Sequence, residues 1–228
     1  MTRVAVITGG AGAIGSAIVS ALGAVGHETV VLDREGGIPV DLARQCEVNA
    51  AAATLLARHG RCDVLVHAAA CFDQATLADV DLDTWRRVQA VNVEAALWLC
   101  QALVPGMAAR GFGRIVFITS DTVWDPPAPE LLPYVASKAA LEGVARSLAR
   151  SLGAGGITVN CVEPGLTRTP AAEAGIPAEA FEAVRARQAL PRSLVPEDVA
   201  GVVAFLASDA SGALTGQTLC ADGGLVLR

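Results

Sequence analysis

The 228-residue chain contains one tyrosine. It stands at Tyr134, and a lysine follows in Tyr134-Val135-Ala136-Ser137-Lys138. Residues four apart share a helix face, so phenol and ammonium would be neighbours. A nearby cation stabilises phenolate and lowers a phenol's pKa from about 10. Such a phenol can give or take a proton nearer neutral pH. Taken alone, the pair reads more simply as an ordinary tyrosine and a solvated lysine. A second candidate is Thr8-Gly9-Gly10-Ala11-Gly12-Ala13-Ile14-Gly15. Glycines at such a turn let backbone N–H groups approach a pyrophosphate, and a helix starting there favours its negative charge. Asp33, at the end of the next apolar run, is placed to accept both hydroxyls of an adenosine ribose. It would repel a 2′-phosphate, which predicts NAD rather than NADP. Arg34 could pair with such a phosphate, but the carboxylate would sit nearer the ribose. A solvated acid at a strand end is the plainer alternative for Asp33.

These residues need elements to position them. Val4-Ala5-Val6-Ile7 is a short, largely β-branched run before the glycine turn, and Ile14 to Leu22 has helical spacing. Thr29-Val30-Val31-Leu32 is a second strand, so the opening reads as a βαβ unit. A short Val40-Asp41 segment and an Ala-rich helix over Asn49 to Arg58 follow. Val64 to Ala68 reads as a buried strand, and the second of two helical stretches after it runs roughly from Thr84 to Arg110. Ile115 to Thr119 is a strand, and a Pro-rich loop leads to a helix from Tyr134 to Leu152. Ile157 to Val162 is the next strand. The segment from Thr169 to Pro196 is expected to hold one short helix, before a helix over Glu197 to Ala207 and a strand at Gln217 to Cys220. Apolar strands alternating with helices predict a doubly wound α/β fold, with about seven parallel strands and helices on both faces. One Rossmann-type domain is expected over 1–228, with a short substrate lid around 169–196. Ligands bind such sheets beyond the carboxyl ends of the strands.

Composition narrows the function. Hydrophobic residues make up 53% of the chain and charged residues 18%, which excludes a disordered protein. From Val4 to Gly26 there is no charged residue, a length that suggests a membrane span or a signal peptide. Six glycines inside it argue against a helix, each costing about 1 kcal/mol relative to Ala. A βαβ unit in a cytoplasmic protein is the better reading. The net charge of −6 argues against nucleic acid, which needs a basic footprint. The six cysteines have neither C-x-x-C spacing nor a histidine cluster, so they read as small apolar residues, with no metal site.

Together these segments resemble the short-chain dehydrogenase/reductase family in its single-domain form, over essentially the whole chain. The family's Y-x-x-x-K is Tyr134 and Lys138. Its T-G-x-x-x-G-x-G is Thr8 to Gly15, with Ala13 in place of the middle glycine. The strand before its catalytic serine looks like Gly113 to Thr119, with Ser120 in place. That serine stands fourteen residues before Tyr134 rather than the family's thirteen, read here as one extra residue in the Pro-rich loop. Strict counting lands on Asp121. The helix asparagine looks like Asn92, and P-G-x-x-x-T is Pro164 to Thr169. The end, Thr215-Gly216-Gln217 and Asp222-Gly223-Gly224, is similar to the family's closing strand and turn. One motif departs: the usual N-N-A-G is His67-Ala68-Ala69-Ala70. His67 invites a role as catalytic base, but a structural substitute for asparagine is the simpler reading.

The resemblance implies reversible hydride transfer between a nicotinamide and a secondary alcohol or ketone. Tyr134 would exchange the hydroxyl proton. Lys138 would depress the phenol's pKa and bind the nicotinamide ribose. Ser120 would orient the substrate oxygen, and Asn92 would hold a water linking Lys138 to solvent. The cofactor would meet Gly9, Gly12, Ala13, Ile14 and Gly15 at its pyrophosphate, and Asp33 and Arg34 at its ribose. Asp41 and Leu42 would lie by adenine, with Ala68 and Ala69 along the path. Pro164, Gly165, Leu166, Thr167 and Thr169 would hold the carboxamide end. Substrate would touch Ser120, Trp124 and Tyr134, in a pocket walled by Cys71, Phe72, Asp121 to Trp124, Glu163 and Thr169 to Leu190. The prolines and Trp124 suggest a hydrophobic or cyclic substrate. The alternatives are an NADPH-dependent 3-oxoacyl-thioester reductase and a dinucleotide sensor without turnover. Neither a membrane nor a nucleic acid partner is expected. Relatives form dimers or tetramers through the long helices carrying Asn92 and Tyr134. Ala95, Ala96, Ala139, Ala140 and Ala145 would permit close packing there or serve only the monomer's interior.

Overall fold

A computed structural model describes residues 2–227. Its centre is a sheet of seven parallel strands in the order β3-β2-β1-β4-β5-β6-β7. The strands are β1 (Val4–Thr8), β2 (Glu28–Asp33), β3 (Ile38–Pro39), β4 (Val64–His67), β5 (Gly113–Ile118), β6 (Ile157–Pro164) and β7 (Thr218–Ala221). Every residue of β1, β4, β5 and β6 is buried. That explains their unbroken apolar runs: a strand covered on both faces has no polar side to alternate with.

The pleat divides the core in two. Val4 and Val6 of β1 point into one layer, with residues of α2 (Gln45–His59), α4 (Ala95–Arg110) and α5 (Leu132–Leu152). Ala5 and Ile7 point into the other, with α1 (Ala13–Ala24) and α8 (Pro196–Ala207). The charge-free stretch from Val4 to Gly26 is therefore a central strand, a turn and a packed helix. Cutting a filled core side chain such as Leu55 or Leu99 to Ala would cost roughly 2–5 kcal/mol. Cys62, Cys100 and Cys161 are buried in this core as free thiols, and burial pushes Cys100 and Cys161 up to about 12.

The remaining helices are α3 (Leu82–Gln89), α6 (Pro170–Gly175) and α7 (Ala178–Arg187). The segment expected to hold one short helix thus holds two, α6 and α7. Proline starts α6 and a Gly-Ile-Pro step separates it from α7, which a single apolar period does not reveal. A π-helical turn over Ala90–Glu94 joins α3 to α4 without a loop. The run Leu82–Arg110 is long and apolar enough to cross a membrane. Leu99, Leu103 and Met107 of this run lie inside the fold. Ala95, Ala96 and Ala145 are also in that interior, so they pack within the monomer; Ala139 and Ala140 face outward.

From β1 the chain builds outward to β3, then returns to place β4 on β1's other side. The crevice at the carboxyl ends of β1 and β4 is therefore the switch point, where doubly wound sheets take their ligands.

Candidate active site

The glycine turn fills one side of that crevice. Gly9 has φ +68°, and a Cβ on it would lie 2.7 Å from the Cα of Ala69. A Cβ on Gly15 would lie 2.0 Å from the carbonyl oxygen of Gly9. The two positions therefore require glycine, one for its backbone conformation and both for close approach. Gly12 is the N-cap of α1, no side chain caps that helix, and its first turn holds no acid. An uncapped N-terminus with no competing carboxylate suits a bound anion. Ala13 is the first helical residue. Asp33 ends β2 against this turn: its Oδ2 accepts from the Ala11 N–H at 3.0 Å and its Oδ1 from the Arg34 N–H at 2.7 Å. The residues present therefore fit a dinucleotide, with its pyrophosphate at the turn and its ribose beside Asp33.

Asp41 and Leu42 lie further along. Asp41 Oδ1 accepts from the Ala43 N–H at 3.0 Å, and Leu42 is buried in the core layer. Ala68 and Ala69 follow β4, and both donate their N–H groups to the hydroxyl of Thr8. Pro164 ends β6, and Gly165 is forced to be glycine because a Cβ would lie 2.8 Å from the Cα of Asp222. Leu166 is half-buried. The buried Thr167 donates to the Gly165 carbonyl at 2.9 Å, and Thr169 caps α6 by accepting from Ala172 N–H at 3.1 Å.

His67 is fully buried, and its two ring nitrogens are both engaged. Nε2 lies 3.1 Å from the Val91 carbonyl and Nδ1 lies 3.0 Å from the Thr8 hydroxyl. A carbonyl only accepts, so Nε2 carries the proton and the hydroxyl donates to Nδ1. Burial, with the Lys138 charge nearby, lowers the imidazole's pKa to about 3. His67 is therefore a neutral strut between β1, β4 and the π turn. This supports its reading as a stand-in for asparagine rather than a base.

Ser120, Tyr134 and Lys138 converge where β5 ends and α5 begins. Ser120 and Asp121 both stand near the Tyr134 phenol, Ser120 favouring its ionised form and the charge of Asp121 opposing it. Ser120 also accepts from the Thr122 hydroxyl at 2.9 Å at the head of a 3₁₀ turn over Asp121–Val123. Lys138 is buried, donates to the Ile118 carbonyl at 2.7 Å, and sits 5.5 Å from the centroid of the Tyr134 ring. One expectation is corrected here. The lysine was to lower the phenol's pKa, but burial pushes the phenol well above its ordinary value, and the charge of Asp121 acts in the same direction. Burial also lowers Lys138 to about 8. Desolvation is the largest cause of both shifts.

Asn92 is buried in the π turn. Its Nδ2 donates to the Cys71 carbonyl at 3.1 Å and to the Ser137 hydroxyl at 2.9 Å, and its Oδ1 accepts from the Cys71 N–H at 2.6 Å. It ties the strand-four loop to the helix carrying Tyr134. Phe72, in that loop, stacks on the Tyr134 ring with centroids 4.5 Å apart and 23° between planes. Phe72 and Trp124 are both exposed. The stacking of Phe72 left no periodic signal in the sequence, because it joins a loop to a helix.

The family described as enoyl-(acyl carrier protein) reductase matches residues 9–226. A D-xylose 1-dehydrogenase of Caulobacter vibrioides is 34% identical, over 96% of this chain and 94% of its own. A Bos taurus protein described as dehydrogenase/reductase SDR family member 4 is 34% identical, over 97% and 86%. The crystal structure of a blue fluorescent protein from a metagenomic library, in complex with NADPH, superposes with a TM-score of 0.90 at 34% identity, covering 99% of this chain and 98% of the other.

The chain belongs to the short-chain dehydrogenase/reductase family. It is an oxidoreductase that acts on CH–OH groups of a small molecule with a nicotinamide dinucleotide. Bound at the turn, that cofactor supplies hydride transfer. In this short-chain dehydrogenase/reductase Ser120, Tyr134 and the buried Lys138 lie together where β5 ends and α5 begins.

Proposed function

We propose that this enzyme uses NAD(H) to interconvert a secondary alcohol and its ketone on a hydrophobic or cyclic substrate. The observation that carries the reading is the convergence of Ser120 and Tyr134 where β5 ends and α5 begins, with Lys138 buried beside the phenol ring. Ser120 would hold the substrate oxygen, and Tyr134 would exchange its proton. Lys138 would bind the nicotinamide ribose, and Asn92 would keep the tyrosine helix in register. The segment 169–196 would close over the substrate as a lid on a one-domain enzyme. Asp33 supports NAD over NADP, since its carboxylate stands where a 2′-phosphate would be repelled. A cytoplasmic dimer or tetramer through the outer faces of α4 and α5, where Ala139 lies, completes the reading.

The test is a nicotinamide-absorbance assay with NAD and then NADP against a panel of cyclic and sugar alcohols. Turnover with NAD, abolished in Tyr134→Phe while NAD still binds, is the expected result. Retained turnover in that variant would sink the assignment. Reduction of acetoacetyl thioesters with NADPH alone would establish a thioester reductase instead. Silence despite tight NAD binding would establish a sensor.

A further inference from the structure

Phe72, in the loop after β4, lies on the ring of Tyr134. The centroids are 4.5 Å apart with 23° between planes, the geometry of a stacked aromatic pair. Phe72 stays 59% exposed, whereas Tyr134 is only 7% exposed. The phenylalanine therefore gains little from its own burial, and its ring serves to cover the tyrosine. A loop side chain resting on its neighbour is the plainer case, since single exposed apolar residues are ordinary. The backbone around Phe72 argues otherwise. The N–H and carbonyl of Cys71 are both bonded to Asn92, at 2.6 and 3.1 Å. Asp73 is paired with Arg87 of α3. Ala75 donates its N–H to the Glu130 carbonyl at 2.8 Å and bridges to Leu131, the residue before α5. Gln89 of α3 donates to the Pro133 carbonyl at 3.4 Å, in the first turn of α5. The residues on either side of Phe72 are thus tied to the π turn, to α3 and to the start of the helix that carries Tyr134. The exposed ring is held by its backbone rather than by burial.

We propose that Phe72 is a positioning residue that acts through Tyr134: stacked on the phenol, its ring fixes the orientation that proton exchange with substrate requires, and the position calls for an aromatic side chain. The hydroxyl is the atom of the tyrosine ring furthest from the backbone, so a tilt of the ring displaces it most. A nearly parallel neighbour opposes that tilt. Lys138 restrains the same ring from its own helix, with Nζ 5.5 Å from the centroid and anchored on the Ile118 carbonyl. Proton transfer needs the phenol within hydrogen-bond reach of the substrate oxygen, and small misplacements cost rate steeply. An aliphatic residue of similar size would cover the phenol but could not stack flat on it, which separates this role from packing.

The proposal rests on Tyr134 being the proton-transfer group, but its first test needs no turnover. Tyr134 is the only tyrosine in the chain, so the full-length protein grown with ring-labelled tyrosine gives the NMR signals of this ring alone. Wild type, Phe72→Leu and Phe72→Trp are compared, with circular dichroism melting to follow the fold. Shielding by the Phe72 ring should hold the Tyr134 signals upfield in wild type. They should move downfield in Phe72→Leu, with faster ring flips, and return toward wild type in Phe72→Trp. In NAD-linked oxidation of cyclohexanol and of myo-inositol, kcat should fall about tenfold in Phe72→Leu with KM within about twofold, and Phe72→Trp should restore it. Ring signals unchanged in Phe72→Leu would overturn the proposal. So would an unchanged kcat with a raised KM, which would make Phe72 a substrate contact only. Where neither alcohol is turned over, the NMR comparison decides alone. Should Phe72→Leu not fold, Phe72→Met carries the same expectation. Turnover retained in Tyr134→Phe would overturn the functional reading instead, and is told apart by ring signals that still move in Phe72→Leu.

Discussion

At the scale of single residues, burial governs the chemistry more than pairing does. Tyr134, Lys138, His67 and Asp121 are all shifted first by desolvation, each toward its neutral form. For Asp121 this has a stability consequence. Its folded value of about 7 lies above its ordinary value, so the folded state keeps a proton that the unfolded chain releases. Between those values stability falls as pH rises, and above about 7 the full penalty is present. Asp121→Asn should therefore melt higher than wild type at pH about 8, with the gap closing toward pH about 4. Calorimetry at both pH values checks this, and a gap independent of pH would refute it. His67 makes the complementary case. His67→Asn should keep most turnover, because an amide can still bridge Thr8 and Val91. His67→Leu should lose about 2 kcal/mol or more by stranding buried polar partners. Melting curves and initial rates on both variants decide it, and a large rate loss in a stable His67→Asn would restore a catalytic histidine.

At the scale of elements, the turn between β1 and α1 is the part least tolerant of change. Gly9→Ala combines a φ of +68° with a backbone contact at 2.7 Å, so the β4 loop must move. NAD affinity should fall at least tenfold, with melting lowered as well; calorimetric binding measures the first. The π turn is a second such part. It inserts one wider turn between α3 and α4, and Asn92 from that turn bonds both Cys71 and Ser137. Asn92→Ala leaves two part-buried backbone groups of Cys71 and the buried Ser137 hydroxyl short of a partner, which should cost about 1–3 kcal/mol in denaturant unfolding.

At the scale of the whole molecule, an exposed ion pair joins Arg187 of α7 to Asp125, beside Trp124, while Arg168 meets α7 at Glu182 and Phe181. Exposed pairs contribute at most about 1 kcal/mol to stability. Arg187→Ala should therefore leave melting nearly unchanged while raising KM several-fold, if the 169–196 segment closes over substrate. An unchanged KM would remove the lid role.

Sequence alone determined the architecture here, because a sheet buried on both faces must be written as apolar runs separated by helices, and β1, β4, β5 and β6 are written that way. It also determined the candidates Tyr134, Lys138 and the glycine turn, whose partners lie within one local element. It left open whether Ser120 or Asp121 faces the tyrosine, since the loop between them absorbs one residue of length. In the folded chain both stand near Tyr134, and only the tertiary structure ties Asn92 to Cys71 and Ser137 and stacks Phe72 on the Tyr134 ring. It also reversed the expected shift of the phenol. Spacing along a helix records a neighbouring charge, but desolvation depends on everything packed around a group, and that exists only once the chain has folded.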